Sequence, residues 1–480
     1  MTIKQDIWVP DLKDHPGPKY RAVADAMMGD IKSGRLKPGD RLPPHRDLAW
    51  ALGMTVGTIT RAYQEVESFG FVAGEVGRGT FVRPPAEHNR GRHVSTLPGD
   101  WYSPETVNAE DDSMPISMQF NYPPGNVGSD VFRSGLLELS QDPQIERLLG
   151  YQRPTGMPLH LDAARMWLKY RGISASDDEL VISSGAHNAI LACLTTLCRS
   201  GGRVATESLV YPGLRAISRM LNFELVPVEL DEEGMCPDSL RAVLAIGGID
   251  AVYTVPTLQN PTNATQSEER RDALAAVLRE FDTPMVEDDL FGLLPRHAPS
   301  PLSARLPTLG YYVTSLSKTM APGLRVGFVK CPVKARDQVA AAVRASTWMA
   351  VPLMVELASR WILDGTAKAV LDRRRAVDQT RRDIAQRHFQ GLDYSMPDGA
   401  LHVWLQLPDP WHASQFVSHA KEDGVILSAA HSFSIGRARP PFAVRVCLGP
   451  PGTEARLEQG LKILRHVIDE HDPTEDARIM

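Results

Sequence analysis

One segment of the chain, residues 314–329 with the sequence TSLSKTMAPGLRVGFV, constrains the fold more than any other. It places Lys318 beside Ser315 and Ser317, and Arg325 follows shortly after. A lysine that forms a Schiff base needs a fixed position, and a phosphate needs hydrogen-bond donors and positive charge. These residue types at this spacing indicate a site for pyridoxal 5'-phosphate (PLP). An S-x-K tripeptide alone is not specific, because most such matches are polar loops with a solvated lysine.

Two further segments place polar side chains at the ends of predicted buried strands. Asn260 follows an apolar run in VPTLQNPTNAT, and Asp288 ends another run in PMVEDDLFG, flanked by Glu287 and Asp289. Open α/β sheets bind ligands at the carboxyl ends of their strands. A carboxylate at such an end can pair with a pyridine nitrogen, which keeps the PLP ring protonated.

Two upstream segments supply candidate contacts to the same cofactor. The sequence VISSGAHNAILACL predicts a strand end, a turn of small residues and a helix start, so the backbone N–H groups of Gly185 and Ala186 could bind phosphate at the helix N-terminus. Tyr211, in LVYPGL, is a candidate aromatic lid on the ring. Packing in the core is the alternative interpretation of Tyr211.

These motifs, in this order, resemble the fold-type I aminotransferases from about residue 114 to about residue 472. The resemblance implies that Lys318 carries the cofactor, that Asp288 binds the pyridine nitrogen and that Asn260 binds the ring hydroxyl. It also implies roles for the remaining candidates, namely phosphate binding by Gly185, Ala186, Ser315, Ser317 and Arg325, ring stacking by Tyr211 and carboxylate binding by Arg445. For Arg445, an arginine on an ordinary strand is the alternative.

The sequence departs from the aminotransferase pattern at the ring hydroxyl. Many relatives have a tyrosine three positions after the ring aspartate, whereas this chain has Phe291. Asn263 replaces a usual glycine, and His187 stands where glutamine is common. These departures leave the cofactor residues in place and argue against efficient transamination.

The first part of the chain has a different pattern. KYRAVADAMMGDIKSG has apolar residues at helical spacing and ends at Gly34, and two short amphipathic segments then flank Gly53. This is the spacing of a helix-turn-helix. FVAGEVGRGTFV alternates as a two-stranded wing whose tip carries Arg78.

Residues 15–83 thus resemble the winged helix-turn-helix of the GntR family, and the order of the two domains resembles its MocR subfamily of bacterial transcriptional regulators. The second helix of such a motif enters the major groove of double-stranded DNA. The positions expected to contact bases are Thr55, Gly57, Thr58 and Arg61. The positions expected to contact phosphates or the minor groove are Arg41, Arg46 and Arg78, with a solvated surface charge as the alternative for each arginine.

Charge is divided unevenly between the two regions. Residues 19–83 contain ten Lys/Arg and seven Asp/Glu, a net charge of +3, while the whole chain has a net charge of −6, which leaves −9 for the rest. A domain that is only slightly basic binds DNA weakly, because affinity grows with the number of phosphates neutralised. We therefore expect a homodimer that binds two half-sites.

The predicted architecture is α/β, with the winged helix followed by a flexible linker (residues 84–113), an aminotransferase-like domain (residues 114–472) and a tail (residues 473–480). The large part of that domain is expected to have a mainly parallel sheet, and residues 352–471 to form a small α+β part. The arginine-rich run at residues 373–382 is interpreted as the solvated face of a long helix.

Composition narrows the functional class. The 480 residues exceed what one hydrophobic core usually organises, and 43% of them are apolar. No leader or membrane-length apolar run is recognised, and the five cysteines show neither metal-ligand nor disulfide spacing, so no metal site and a cytoplasmic location are expected.

The sequence predicts a PLP-dependent, DNA-binding transcriptional regulator that senses an amino acid, an amine or a vitamin B6 compound. The alternative is an active PLP-dependent aminotransferase with a fused DNA-binding module. A DNA-binding scaffold with an inactive cofactor domain is the weakest hypothesis, because all the cofactor residues are present together.

Overall fold

The computed structural model describes residues 8–12, 19–68, 71–75, 79–82, 115–124, 127–436 and 440–470. The chain divides into two compact units, Met1–Ser95 and Thr96–Met480. Arg78, the expected linker at residues 84–113 and the expected tail at residues 473–480 lie outside the described residues. None of the described helices is long and apolar enough to cross a lipid bilayer.

The N-terminal unit contains three helices and a hairpin. In chain order these are α1 (Lys19–Lys32), α2 (His45–Leu52), α3 (Val56–Ser68), β1 (Val72–Glu75) and β2 (Gly79–Val82). α2 ends at Gly53, whose φ of 62° gives the left-handed cap that starts the turn. The two strands pair in antiparallel fashion. The predicted helix-turn-helix and wing are confirmed.

A small apolar core holds these elements together. The side chains of Val23, Met27, Leu48, Ile59 and Val66 are fully buried in it. They come from all three helices at the spacing that the sequence predicted, so each helix places one apolar face inward.

The C-terminal unit alternates strands and helices. Its first half contains β3 (Ile116–Ser117), α4 (Ser129–Ser140), α5 (Pro158–Lys169), β4 (Leu180–Ser183), α6 (Ala186–Leu197), β5 (Arg203–Glu207), α7 (Pro212–Leu221), β6 (Glu224–Val228), β7 (Leu230–Asp231), β8 (Gly234–Met235), α8 (Pro237–Ile246), β9 (Ala251–Thr254) and α9 (Glu268–Glu280). Its second half contains β10 (Met285–Asp288), β11 (Gly310–Ser315), β12 (Gly327–Lys330), α10 (Arg336–Thr347), α11 (Pro352–Leu363), α12 (Thr366–His388), β13 (Tyr394–Ser395), β14 (His402–Gln406), α13 (Ala413–Glu422), β15 (Val425–Ile426), β16 (Ser428–Ala429), β17 (Ala443–Cys447) and α14 (Glu454–Glu470).

A seven-stranded sheet in the order β4-β12-β11-β10-β9-β5-β6 forms the centre of this unit. The four pairs from β11 to β6 are parallel, whereas β12 is antiparallel to both β11 and β4. The predicted mainly parallel sheet is therefore confirmed. Because parallel strands end at one edge, the turns after β4, β9, β10 and β11 lie together, and β12 begins at that same edge.

A second, smaller part is built on the antiparallel sheet β13-β14-β17-β16. Its core joins these strands to the end of α12, to α13 and α14, and to β3, which pairs with β15. The expected start of this part at residue 352 is wrong. Val355, Trp361 and Leu371 belong to the core of the large part, because α11 and the first turns of α12 pack there.

The interpretation of residues 373–382 as a solvated face is also wrong for three arginines. Arg374, Arg381 and Arg382 are almost fully buried. Arg374 donates to the carbonyl oxygens of Pro124 (2.7 Å) and Met320 (3.1 Å), and Arg381 donates to two carbonyls of the loop after β17. Buried arginines are tolerated because these carbonyls accept their hydrogen bonds.

Candidate functional site

The carboxyl edge of the large sheet borders a cavity of about 910 Å³ that the small part closes on one side. Among the predicted site residues, those lining it are Ala186, Tyr211, Asn260, Asp288, Ser317, Lys318, Arg325 and Arg445. They come from six separate stretches of the sequence, and the fold brings them together.

Gly185 and Ser315 stand just behind the cavity wall. Gly185 is the N-cap of α6, with a φ of 85°. A Cβ atom there would lie 2.7 Å from Nη2 of Arg325, so the arginine packs directly on the glycine backbone. The hydroxyl of Ser315, at the end of β11, accepts a hydrogen bond from the backbone N–H of Ser317 (3.3 Å). Ser315 therefore supports the turn that carries Ser317.

The start of β12 fixes this corner. Gly327 pairs with both Ser183 and Ser315, and a Cβ atom on Gly327 would lie 2.8 Å from the carbonyl carbon of Gly185. Only glycine allows the strands to approach this closely. Arg325, two residues earlier, has a left-handed backbone (φ 50°) and donates to the carbonyl oxygen of Ser184 (3.0 Å). Its charge thus lies at the N-terminus of α6, where an anion is also favoured by the helix dipole.

Lys318 is held at the centre of the cavity. Its Nζ donates to the carbonyl oxygen of Asn121 and lies 5.9 Å from the centre of the Phe291 ring. Burial, together with the smaller effect of the nearby charge of Arg445, lowers the pKa of Lys318 to about 8. A substantial fraction of the amine is therefore neutral near physiological pH, which a nucleophilic lysine requires.

Asp288 is the last residue of β10, and only one of its two carboxylate oxygens accepts a hydrogen bond among the described residues. Its Oδ2 accepts a hydrogen bond from the phenol of Tyr253 (2.6 Å), whereas the buried Oδ1 has no hydrogen-bond partner among the described residues. Burial raises the pKa of Asp288 to about 7, against the opposing effect of the Tyr253 hydrogen bond. A buried carboxylate oxygen without a donor is unfavourable, so a protonated ring nitrogen would stabilise it.

The three carboxylates at the end of β10 have separate contacts. Glu287 accepts backbone N–H bonds from Leu302 (3.0 Å) and Ser303 (2.6 Å), and Asp289 binds Arg171 (2.8 Å) and the phenol of Tyr312 (2.8 Å). Of the three, Asp288 alone lines the cavity.

Asn260 and Arg445 form one unit across the cavity. Nη1 of Arg445, on β17, donates to Oδ1 of Asn260 (2.7 Å), and its Nη2 donates to the carbonyl oxygen of Gln119 (2.6 Å). The guanidinium also lies over the ring of Phe433, 4.6 Å from its centre. This leaves the Nδ2 amide of Asn260 as a donor for a ring hydroxyl.

Tyr253, Asn121 and His402 are site residues that the sequence patterns did not predict. His402 is fully buried, its Nε2 donates to the carbonyl oxygen of Pro261 (2.8 Å), and its Nδ1 accepts from the side-chain amide of Asn121 (2.9 Å). Burial lowers the pKa of His402 to about 3, so the ring is neutral. It orients the Asn121 segment whose carbonyl holds Lys318. For Tyr253, the available signal was its place one residue before the end of a buried strand.

In the N-terminal unit, the predicted base-contacting residues cluster at the start of α3. Thr55 caps this helix, because its hydroxyl accepts from the backbone N–H of Thr58 (3.2 Å). Thr55 and Gly57 are exposed, and Thr58 is half-buried. The guanidinium of Arg61 lies 3.9 Å from the centre of the Tyr20 ring.

The predicted phosphate-contacting residues lie on neighbouring elements. Arg46 is exposed in the first turn of α2. Arg41 is exposed beside β2, where its guanidinium packs on Gly79. Arg78 lies outside the described residues.

Fold and cavity together define a two-domain protein, with a winged helix-turn-helix and a fold-type I aminotransferase domain. Residues 116–464 match the family model for aminotransferase class I and II, and residues 19–82 match that for bacterial regulatory proteins of the gntR family. The chain belongs to the class I and II aminotransferase family and carries a GntR helix-turn-helix domain at its N-terminus. PLP is the cofactor that this family implies.

Its relatives of similar length are named as regulators. HTH-type transcriptional regulator YdeF of Bacillus subtilis is 29% identical over 96% of this chain and 97% of that protein. TauR of Rhodobacter capsulatus is 28% identical over 84% and 87%. The vitamin B6 salvage pathway transcriptional repressor PtsJ of Salmonella typhimurium is 26% identical over 90% and 94%. This pattern is consistent with the MocR subfamily.

Solved aminotransferases share the fold. An archaeal alanine:glyoxylate aminotransferase aligns with a TM-score of 0.69 at 21% identity, over 75% of this chain and 92% of that one. A kynurenine aminotransferase of Pyrococcus horikoshii aligns with a TM-score of 0.68 at 23% identity, over 78% and 98%.

The lowered pKa of Lys318 predicts a pH profile for covalent capture of PLP by the apoprotein, measured by borohydride trapping and mass spectrometry. The neutral amine is the nucleophile, so the capture rate should rise with pH up to about 8 and then level off. An ordinary lysine, with a pKa of about 10.4, would give a rate that keeps rising. Lys318→Arg should abolish trapping at this site, and a rate still rising steeply above pH 9 would contradict the burial argument.

Proposed function

We propose that this protein is a PLP-dependent transcriptional regulator, in which the aminotransferase-like domain binds an amine, amino acid or vitamin B6 effector and the winged helix binds a double-stranded DNA operator. One observation carries the proposal: a cavity that brings Lys318 together with Asp288, Asn260 and Arg325 is present on the same chain as a helix-turn-helix. The names of the relatives support it. The cytoplasm is the compartment we infer for a DNA-binding regulator.

We assign the cavity residues as follows. Lys318 holds the cofactor covalently, the unpartnered Oδ1 of Asp288 receives the ring nitrogen, and Asn260 donates to the ring hydroxyl. The phosphate is bound at the corner formed by Gly185, Ala186, Ser315, Ser317 and Arg325. Tyr211 stacks on the ring, and Arg445 binds the carboxylate of the effector.

When bound, PLP supplies a carbonyl carbon that exchanges between the amine of Lys318 and the amine of a small molecule. After that exchange Lys318 again has a free amine. This amine donates a hydrogen bond to the carbonyl oxygen of Asn121. Lys318 and Asp288 belong to the large part, whereas Arg445 belongs to the small part. An effector that contacts both favours the conformation in which they are closest, and this shift is the signal passed to the DNA-binding unit.

An active aminotransferase is the second candidate. The roles assigned to Lys318, Asp288, Asn260 and Arg445 would serve catalysis equally well. Phe291 favours the regulator. It lines the cavity without a hydroxyl, so the ring hydroxyl of the cofactor lacks the tyrosine partner found in many aminotransferases and keeps Asn260 as its proposed partner. Release of oxo acid from amino acids at catalytic rates would favour the enzyme.

We propose DNA contacts at the exposed start of α3. Thr55, Gly57, Thr58 and Arg61 would meet base edges, and Arg41, Arg46 and Arg78 would meet phosphates or the minor groove. The guanidinium of Arg61 is stacked on the Tyr20 ring, so this side chain has to change its conformation to donate hydrogen bonds to DNA.

We also propose a homodimer. Four large apolar side chains in two short segments of the C-terminal unit are exposed, namely Leu149 (74% exposed), Tyr151 (84%), Trp348 (56%) and Val351 (51%). The rings of Tyr151 and Trp348 contact each other with centres 5.7 Å apart. Contiguous exposed aromatic and aliphatic side chains are typical of protein interfaces. A second copy of the chain is the partner that two DNA half-sites require.

The regulator hypothesis predicts that Lys318→Ala removes the effector response and retains DNA binding. A DNA ligand is first selected from a random pool with wild-type protein, and its Kd is then measured by fluorescence anisotropy with and without a panel of amines. We expect an effector to change the wild-type Kd by about fivefold or more. The exposed Lys462→Ala is the matched control. A full amine response in Lys318→Ala would refute the mechanism.

The proposed phosphate contact predicts that Arg46→Ala weakens binding to all sequences alike. The slope of log K against log salt should become shallower by about 1, because one phosphate contact is lost. Thr58→Ala should instead change the sequence preference and leave the slope unaltered. Arg35, which pairs with Asp30 (3.3 Å) in the same unit, provides the control variant Arg35→Ala. Equal slopes for Arg46→Ala and Arg35→Ala would exclude the Arg46 contact.

The proposed dimer surface predicts that Tyr151→Arg produces a monomer in analytical ultracentrifugation, because a charge would be buried without a partner in the interface. Ile246, on α8, is similarly exposed at 78%, so Ile246→Arg is a matched control and should remain a dimer. A wild-type monomer, or a Tyr151→Arg variant that dimerises as well as the control, would overturn the assignment of this surface.

A further inference from the structure

The cavity contains more positive charge than PLP and one carboxylate require. Of the described residues, six cationic side chains line it against a single carboxylate, that of Asp288. The six are Arg215, Arg219, Lys318, Arg325, Arg374 and Arg445. Positive charge that lines a cavity without acidic partners favours an anionic ligand.

Four of these cations already have partners or proposed roles. Lys318 and Arg325 are assigned to the cofactor, and Arg445 is assigned to one carboxylate of the effector. Arg374 is committed to the fold through the carbonyl oxygens of Pro124 and Met320. Arg215 and Arg219 therefore remain for a further anion.

Both remaining arginines lie on α7, on the same face as Tyr211. Tyr211 is the N-cap of α7, and Arg215 and Arg219 follow at intervals of four residues. Residues four apart are neighbours on a helix surface, so these three side chains form one row, which we call the α7 row. All three line the cavity, and the row begins at the residue proposed to stack on the cofactor ring.

The two arginines repel each other and lack acidic partners in the described part of the chain. Like charges four residues apart on a helix are destabilising. Burial and the adjacent Arg219 both lower the pKa of Arg215. Nη1 of Arg215 donates to the carbonyl oxygen of Ser432 (2.9 Å), a neutral acceptor that fixes the side chain without neutralising it. The cost of this arrangement would be offset by a bound anion.

We propose that Arg215, assisted by Arg219, binds a second acidic group of the effector, so that the effector is an amine with two acidic groups. Arg445 binds one of them from the small part, and the α7 row binds the other from the large part. The chemical class is an amino diacid, whose second group is a carboxylate. This inference rests on the proposed function, because it assumes that an amine effector exchanges with Lys318.

The test measures effector affinity from the change in visible absorbance of the PLP-loaded, full-length protein. The probes are L-aspartate, L-glutamate and L-2-aminoadipate, which cover three chain lengths, each compared with its side-chain amide. Arginine forms charge-assisted, bidentate bonds to a carboxylate. The best diacid should therefore bind wild-type protein about tenfold or more tightly than its amide.

Arg215→Gln should remove this preference by weakening diacid binding, with little change in the affinity for the amide. Arg215→Lys should restore part of it, and Arg219→Gln should have a smaller effect. Arg241, an exposed arginine on α8 paired with Asp238 (3.3 Å), provides the control Arg241→Gln, which should bind like wild type. The absorption spectrum of bound PLP reports that each variant is folded and loaded.

Two results would overturn the inference, and they are distinguishable. If amines change the spectrum but diacids and amides bind wild type equally, or Arg215→Gln keeps the preference, then the α7 row does not bind a second acid and the proposed function stands. If no amine in the panel changes the spectrum of loaded wild-type protein, then exchange at Lys318 fails, and the proposed function fails with it.

Discussion

The site depends on the direction of one strand. β12 runs antiparallel between β4 and β11, so it starts at the edge where the parallel strands end. Arg325, just before β12, is thereby placed against Gly185 and beside the turn that carries Lys318. The close pairing requires Gly327, since a side chain there would collide with the backbone after β4. A parallel strand at this place would begin at the opposite edge and carry Arg325 away from the cavity.

Burial then shifts the pKa values of the two ionisable groups, Lys318 and Asp288, that the sheet brings together. The pKa of Lys318 is lowered to about 8 and that of Asp288 is raised to about 7, so each group has a substantial neutral fraction near physiological pH. Tyr253 and Asn121 each satisfy one atom of this pair and leave the reactive positions open. In the apoprotein neither group is fully charged, and a cofactor with a basic ring nitrogen would favour the ionised form of Asp288.

Much of the fold was predictable because its signals are local. The helix-turn-helix, the strand end at Asp288 and the Lys318 segment are short patterns in the sequence. The predicted strand end at Asn260 is wrong in position, because β9 ends at Thr254 and Asn260 lies in the loop that follows it. Tyr253, Asn121 and His402 were missed, because their roles arise from contacts between distant segments: the side chains of Asn121 and His402 are hydrogen-bonded across 281 positions of sequence. The prediction of a solvated face for the arginine run in α12 was wrong for the same reason. The carbonyls that accept hydrogen bonds from Arg374 and Arg381 lie in loops that are distant in sequence.

The helix α12 has a mechanical consequence. Its first turns pack in the core of the large part and its last turns in that of the small part. Arg374 donates hydrogen bonds to the carbonyl oxygens of Pro124 and Met320 in the cavity wall, and Arg381 donates to the loop after β17. A straight helix of 23 residues is about 34 Å long. Its angle to one core cannot change without bending the helix or breaking contacts in the other. Relative motion of the two parts therefore has to bend α12 or exchange some of these contacts.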